Sequence, residues 1–248
     1  MASILSHIYK NRYIIKVSVI FALVTEMSLF SQSYSDFLGE IQSYQDKVAI
    51  KSLDEKDIID PETFDAETYF EFFENIQFSK NRIYGVHYQD NFFDGKPYLY
   101  SIKSSSNNFH LNDSTEFARY NIKPEDSELG YIEYLFFCEF GDQFALKWHA
   151  NFNEKFVLYN DSCMDNIIKE YLDNDIFIVD KQSLLQLKET DPMPVVKLEE
   201  SSCIITWIEI QTHYGIYKKT YSISRKKPYT VTLLDSRLIL PIQAGILY

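Results

Sequence analysis

The stretch CIITWIEIQTHYGIYKKTYSIS, residues 203–224, decides the fold, because it predicts two strands joined by a tight turn. Strand-forming β-branched and aromatic residues lie on both sides of the turn. A three-residue loop at 213–215 places Gly215 where the backbone needs a positive φ, which glycine adopts without strain. The predicted pairs are aromatic, aliphatic and oppositely charged neighbours, all of which stabilise sheets: Trp207 with Tyr221, Ile205 with Ile223, and Glu209 with Lys219.

A second hairpin is predicted over residues 131–150, with a two-residue turn at 141–142. In this register Tyr134 lies opposite His149, and Cys138 lies four residues from His149 along the ladder. At about 3.3 Å per residue, the thiol and the imidazole are ~13 Å apart. A catalytic base must lie within roughly 3 Å of its nucleophile, so the predicted pairing excludes a Cys–His dyad.

The rest of the chain divides into helical and strand periodicities. Apolar residues recur every three or four positions over 35–50 and 60–76, which predicts two N-terminal helices, and a short helix is predicted over 164–174. A hairpin over 82–103, with Gly95 in its turn, begins a mainly antiparallel sheet built of hairpins and a meander. The predicted fold class is therefore α+β, with a helical N-terminal segment followed by the sheet.

Residues 1–31 have the features of a secretory signal peptide. Three basic residues precede the apolar run VSVIFALVT at 17–25, and Ser31 is a small residue at the expected cleavage point. This uncharged, mostly apolar run of nine residues is too short to span a bilayer, which needs about 20. Residues 32–248 are then expected to form one α+β domain, and the polar stretch 104–115 is the candidate for an internal boundary.

Charge and composition exclude several classes of function. A net charge of −12 argues against a nucleic-acid partner, because such binding depends on Lys and Arg neutralising phosphates. Three cysteines cannot form a disulfide framework, and the sequence does not choose between the possible pairings of Cys138, Cys163 and Cys203. The five histidines lack zinc-ligand spacing, and there is no phosphate-binding glycine loop or dinucleotide fingerprint. No catalytic residue, metal or cofactor is predicted.

These features predict an exported protein of the periplasm, the cell surface or the exterior, acting as a non-catalytic binding or structural module. The expected partner is carbohydrate or protein, with no membrane span in the mature chain. The candidate ligand contacts are His149, Tyr134, His213 and Tyr214.

Two alternatives stay open. The first is a hydrolase in which carboxylates or His149 come together from separate strands, inside a pocket where one such group has a perturbed pKa and a hydrogen-bonded partner. The second is a cytoplasmic interaction protein that keeps its N-terminal helix.

Overall fold

The structure is a computed structural model that describes residues 34–48, 64–91, 94–103, 116–148, 154–173 and 177–244. It is a mixture of helices and mainly antiparallel sheets, which confirms the predicted α+β class. The predicted signal peptide at 1–31 and the candidate boundary at 104–115 lie outside the described residues.

The elements follow one another along the chain with helices and strands interleaved. The helices are α1 over 34–47, α2 Ala66–Glu71, α3 Glu128–Phe140, α4 Asp161–Asp173 and α5 Lys181–Gln186. The strands are β1 Ile76–Phe78, β2 Arg82–Asn91, β3 Asp94–Lys103, β4 Glu116–Phe117, β5 Ile122–Pro124, β6 Lys147–Trp148, β7 Lys155–Leu158, β8 Phe177–Ile178, β9 Val195–Leu198, β10 Ser202–Gln211, β11 Gly215–Ser224, β12 Val231–Pro241 and β13 Gln243–Ala244. Two 3₁₀ turns cover Ala118–Asn121 and Leu187–Glu189.

The largest sheet is built around β10. Its order is β12–β11–β10, and the far side of β10 is shared by β9 along one half and β7 along the other. β12 lies at one edge of this five-stranded sheet. A second sheet contains the β2–β3 hairpin with β4 and β6 on β3, while β1–β5 and β8–β13 form two-stranded pairs.

The central strand β10 is buried on both faces, and each face belongs to a separate hydrophobic cluster. Trp207 faces α3, and its ring centroid lies 5.3 Å from that of Phe140. On the opposite face Ile208 and Ile210 pack in the cluster that contains Ile168 of α4. Successive strand residues point to opposite faces, so β10 joins the two clusters of the core.

The predicted hairpin over 131–150 is wrong, because residues 128–140 form helix α3. Ser127 caps this helix by accepting a hydrogen bond from the backbone N–H of Gly130 at 3.0 Å. Nine of its thirteen residues are buried, so the helix is apolar on nearly every side. A helix of this kind lacks an amphipathic period, and its sequence alone resembles a buried strand. The ladder distance between Cys138 and His149 therefore no longer applies.

The hairpin over 203–224 is confirmed, but its register differs from the prediction by two residues. The loop is 212–214 rather than 213–215, since Gln211 already pairs with Gly215. Gly215 has the expected positive φ, at +141°, and a Cβ there would lie 2.5 Å from the carbonyl oxygen of Leu240. A shift of two keeps every side chain on its predicted face, so the predicted pairs become diagonal neighbours.

The other hairpin and the helices also differ in detail. The 82–103 hairpin forms, but its strands pair as far as Asn91 and Asp94, which places Gly95 in a strand opposite Asp90 instead of in the turn. Of the helix predicted over 60–76, the described part is the short α2, and Ile76 already begins a strand. The helix predicted over 164–174 begins at Asp161.

Candidate functional site

A groove lies between the 3₁₀ turn at 118–121 and the loop that joins β11 to β12. It consists of two adjoining hollows of about 690 and 370 Å³ that share Tyr120, Ile122, Lys227 and Tyr229. These volumes fall in the range of small-molecule sites. We call the two hollows together the basic groove, and its lining includes the following polar and aromatic side chains: Lys80, Arg119, Tyr120, Lys123, Lys227 and Tyr229.

The groove is positively charged on a protein that is negatively charged overall. Its lining contains four cations, Lys80, Arg119, Lys123 and Lys227, and one carboxylate, Glu139. That carboxylate lies 3.5 Å from the Nζ of Lys155, which neutralises part of its charge. The whole chain has a net charge of −12. The concentration of cations here is therefore a local feature that the overall charge conceals.

The 3₁₀ turn that carries Arg119 and Tyr120 is held in place by hydrogen bonds to its backbone. The backbone carbonyl of Asn121 accepts hydrogen bonds from the Ser79 hydroxyl at 2.7 Å and from the Tyr84 hydroxyl at 2.6 Å. Ala118 is fully buried, whereas Tyr120 is 60% exposed. The turn thus anchors its small residue in the core and presents the aromatic ring to solvent.

Arg119 is held between two aromatic rings at the rim of the groove. Its Cζ lies 5.2 Å from the ring centroids of both Phe117 and Tyr120. This cation–π geometry fixes the direction of the guanidinium without neutralising it. A hydrogen bond to the Tyr120 hydroxyl raises the pKa of Arg119, so the side chain stays charged.

Tyr134 lines the groove and holds the opposite wall. Its hydroxyl donates a 2.8 Å hydrogen bond to the backbone carbonyl of Tyr229, and the two rings lie 6.0 Å apart. Tyr134 is only 5% exposed, and burial raises its pKa, which keeps the hydroxyl protonated as a donor. This predicted contact residue therefore shapes the groove mainly by orienting Tyr229.

Cys138 also lines this region but is a poor nucleophile. Burial raises the pKa of its thiol to about 12, with a further contribution from the charge of Glu139. The thiolate is the reactive form, so the sulfur is unreactive at neutral pH. All three cysteines are free thiols, and none forms a disulfide.

The structure does not bring the four predicted contact residues together. His149 lies outside the described residues. His213 and Tyr214 occupy the β10–β11 loop, at the opposite end of β11 from the groove. Ten strand residues at roughly 3.3 Å each separate the two ends by about 30 Å. Tyr214 is 54% exposed, and burial lowers the pKa of His213, which favours the neutral imidazole.

A separate cleft of about 360 Å³ contains the buried carboxylate Glu133. This residue is 1% exposed, and burial raises its pKa to about 7. Both carboxylate oxygens accept hydrogen bonds from Asn75, one from the backbone N–H at 2.7 Å and one from the side-chain amide at 2.5 Å. Glu133 thus ties α3 to the start of β1, and its oxygens are engaged within the protein.

Another cleft, of about 340 Å³, is lined by Asp46 and Glu154. Burial raises the pKa of both carboxyl groups, and the charge of Asp46 adds to the rise at Glu154. Both side chains are nevertheless exposed. Water therefore screens their mutual repulsion, and they do not form a closed acid–base pair.

No three His, Cys, Asp or Glu side chains in the described ranges are grouped as metal ligands would be. None of the helices in these ranges is both long and apolar enough to cross a bilayer. Comparison of the chain with protein-family models, with curated proteins and with solved structures finds no match.

The total charge of −12 does not reveal the residues of the basic groove. Two local signals are present: the stretch RKKPY at 225–229 and the stretch FARYNIK at 117–123. Each combines cations with aromatic rings. Nothing in the sequence shows that these stretches, about 100 residues apart, face one groove.

Proposed function

We propose that the protein is an exported, non-catalytic binding module that recognises a short acidic carbohydrate in the basic groove. One observation carries this proposal: four cations and the rings of Tyr120 and Tyr229 line the same two adjoining hollows of an acidic chain. Charged donors bind carboxylate and sulfate groups strongly, and exposed rings give flat apolar surfaces for the faces of sugars.

A short ligand fits the electrostatics better than a long polyanion. Within the groove the local field attracts negative charge, but beyond it the excess of 36 acidic over 24 basic residues repels it. An extended nucleic acid would have to cross this repulsive surface, whereas an oligosaccharide of a few acidic residues need not. Aromatic rings beside cations also suit single-stranded nucleic acid, so that class must be tested directly.

The proposal is tested by titrating the protein with a tetrasaccharide of galacturonate and measuring the dissociation constant by calorimetry. Replacing Lys227, which lines both hollows, in the variant Lys227→Ala should weaken binding about fivefold to tenfold, as expected for one charge-assisted contact. Tyr120→Ala should weaken it by a similar factor. Affinity should also fall as salt is raised from 50 to 300 mM.

The matched control is Lys188→Ala, which removes an exposed lysine that is paired with Asp165 at 2.7 Å on another part of the surface. Its affinity should equal that of the wild type. Equal binding of a neutral tetrasaccharide, or no effect of Lys227→Ala, would contradict the proposal. Tighter binding of a twelve-nucleotide single strand than of the acidic sugar would assign the groove to nucleic acid instead.

A further inference from the structure

One edge of strand β12 has no strand partner among the described residues. The strand forms the edge of the five-stranded sheet, and among the described strands it pairs only with β11. Its residues 232–238 are all exposed, on both faces of the sheet. Leu233, Leu234 and Leu238 are 49%, 56% and 47% exposed. An open edge with apolar side chains is a template for pairing with another strand.

The sequence of this edge is self-complementary. An antiparallel pair of two β12 strands related by a twofold axis at Ser236 places Asp235 opposite Arg237 of the second copy, and Arg237 opposite its Asp235. In the same register the small Ser236 meets itself on the axis. Opposite charges placed directly opposite each other stabilise an antiparallel pair.

The charge of Arg237 is also uncompensated by any ion pair among the residues that the structure describes. Its partner on β11 is Lys218, so two cations lie directly opposite each other across the ladder. Like charges in this position are destabilising. No ion pair joins Asp235 or Arg237 to another residue in the described ranges. A carboxylate from a second copy at this point would offset the repulsion.

Two irregularities limit the length of the pairing segment. The register between β11 and β12 shifts at Leu234 and again at Ile239, each of which is an extra residue on β12. Bulges bend a strand and shorten the edge that it offers. The regular stretch between them, 235–238, contains the charged residues and the axis.

We propose that β12 pairs antiparallel with β12 of a second copy of this chain about a twofold axis at Ser236, forming a dimer with a continuous ten-stranded sheet. The interface is isologous, since the same residues contribute from both copies. This contact lies on the sheet edge and does not depend on the ligand of the basic groove.

Sedimentation equilibrium at several protein concentrations tests the proposal, with circular dichroism to check the fold of each variant. The wild type should show a monomer–dimer equilibrium. Arg237→Asp or Asp235→Arg alone places like charges opposite each other, and each should raise the dissociation constant at least about tenfold. The double variant Asp235→Arg/Arg237→Asp exchanges the charges and should restore the wild-type value to within about threefold.

Lys188→Asp is the control, because it makes the same change in net charge as Arg237→Asp on an exposed residue outside β12. It should leave the dissociation constant unchanged. A wild-type protein that stays monomeric throughout, single reversals without effect, or a double exchange that fails to restore association would each overturn the proposal.

Discussion

Glu133 is the residue whose ionisation should control stability most strongly. Its carboxyl group is buried, and its pKa is about 7 in the folded protein against an ordinary 4.5. Burial is the main cause, and the charges of Glu74 and Glu125 add to it, while the hydrogen bonds from Asn75 act in the opposite direction. Between these two values the folded state holds a proton that the unfolded chain has released.

The free energy of unfolding should therefore fall as pH rises from about 4.5 to about 7, and this contribution should then stay constant. The loss is on the order of 3 kcal/mol. Glu133→Gln cannot ionise but can still accept from the Asn75 backbone, so its profile should lack this decline. Urea unfolding of the wild type and of Glu133→Gln at several pH values gives the difference between their free energies of unfolding. The contributions of other titrating groups cancel in this difference. Parallel profiles would contradict the assignment.

At the scale of an element, the β10–β11 hairpin contains an ion pair that water scarcely reaches. Glu209 is fully buried, and its carboxylate forms a short contact with the ammonium of Lys219, whose side chain is 11% exposed. The carboxylate also accepts from the Tyr221 hydroxyl at 3.2 Å and from the Gln211 amide at 3.0 Å. The charge is thus compensated by groups on both strands.

Removing the cation alone should lower the free energy of unfolding more than removing both charges of the pair. Lys219→Met leaves a buried carboxylate without its counter-charge, and we expect the free energy of unfolding to fall by about 3 kcal/mol. The double variant Glu209→Gln/Lys219→Met should recover most of that loss. Lys188→Met, which changes an exposed lysine outside the β10–β11 hairpin, is the control and should change stability by less than about 0.5 kcal/mol. A double variant no more stable than Lys219→Met would contradict this account.

Elements with a clear period were predictable, and α3 was not. The β-branched and aromatic residues on either side of a glycine-containing turn specify the β10–β11 hairpin, and the two-residue error in its register preserves the faces because an even shift does so. In 131–140 nearly every residue is apolar, so neither period was visible. The local signal for a helix is Ser127, because a serine shortly before an apolar run is typical of a helix N-cap.

At the scale of the whole molecule, α1 packs at the centre of the core although it comes first among the described elements. Leu38 and Ile41 are completely buried, and Phe37 contacts Phe136 of α3 with ring centroids 5.7 Å apart. Gln42 binds the β7 backbone, accepting from the Val157 N–H at 2.8 Å. The sequence predicted the helix from its spacing, but the partners of a helix depend on the tertiary fold and could not be derived from it.

The basic groove was not predictable for a related reason. Its cations come from three separate parts of the chain, near residues 80, 119–123 and 227. A total charge of −12 averages over these parts and hides their proximity. The predicted contact Tyr134 does line the groove, but it was expected on a strand and lies on a helix. When a site is assembled from distant segments, its charged residues can be identified only after the topology shows which segments lie close together.

Removal of residues 1–31 tests whether the N-terminal segment belongs to the domain. Tyr34 is the third residue after the predicted cut; it is 4% exposed and its hydroxyl contacts Glu128. The predicted cut after Ser31 thus spares every residue of the described core. A chain beginning at Gln32 should therefore show the melting temperature of the full-length chain in calorimetry.

A chain beginning after α1 should show no cooperative transition, because losing Leu38 and Ile41 alone costs about 2–5 kcal/mol each against a typical total of 5–15 kcal/mol. A marked fall in melting temperature on removing 1–31 alone would instead favour the retained helix of a cytoplasmic protein.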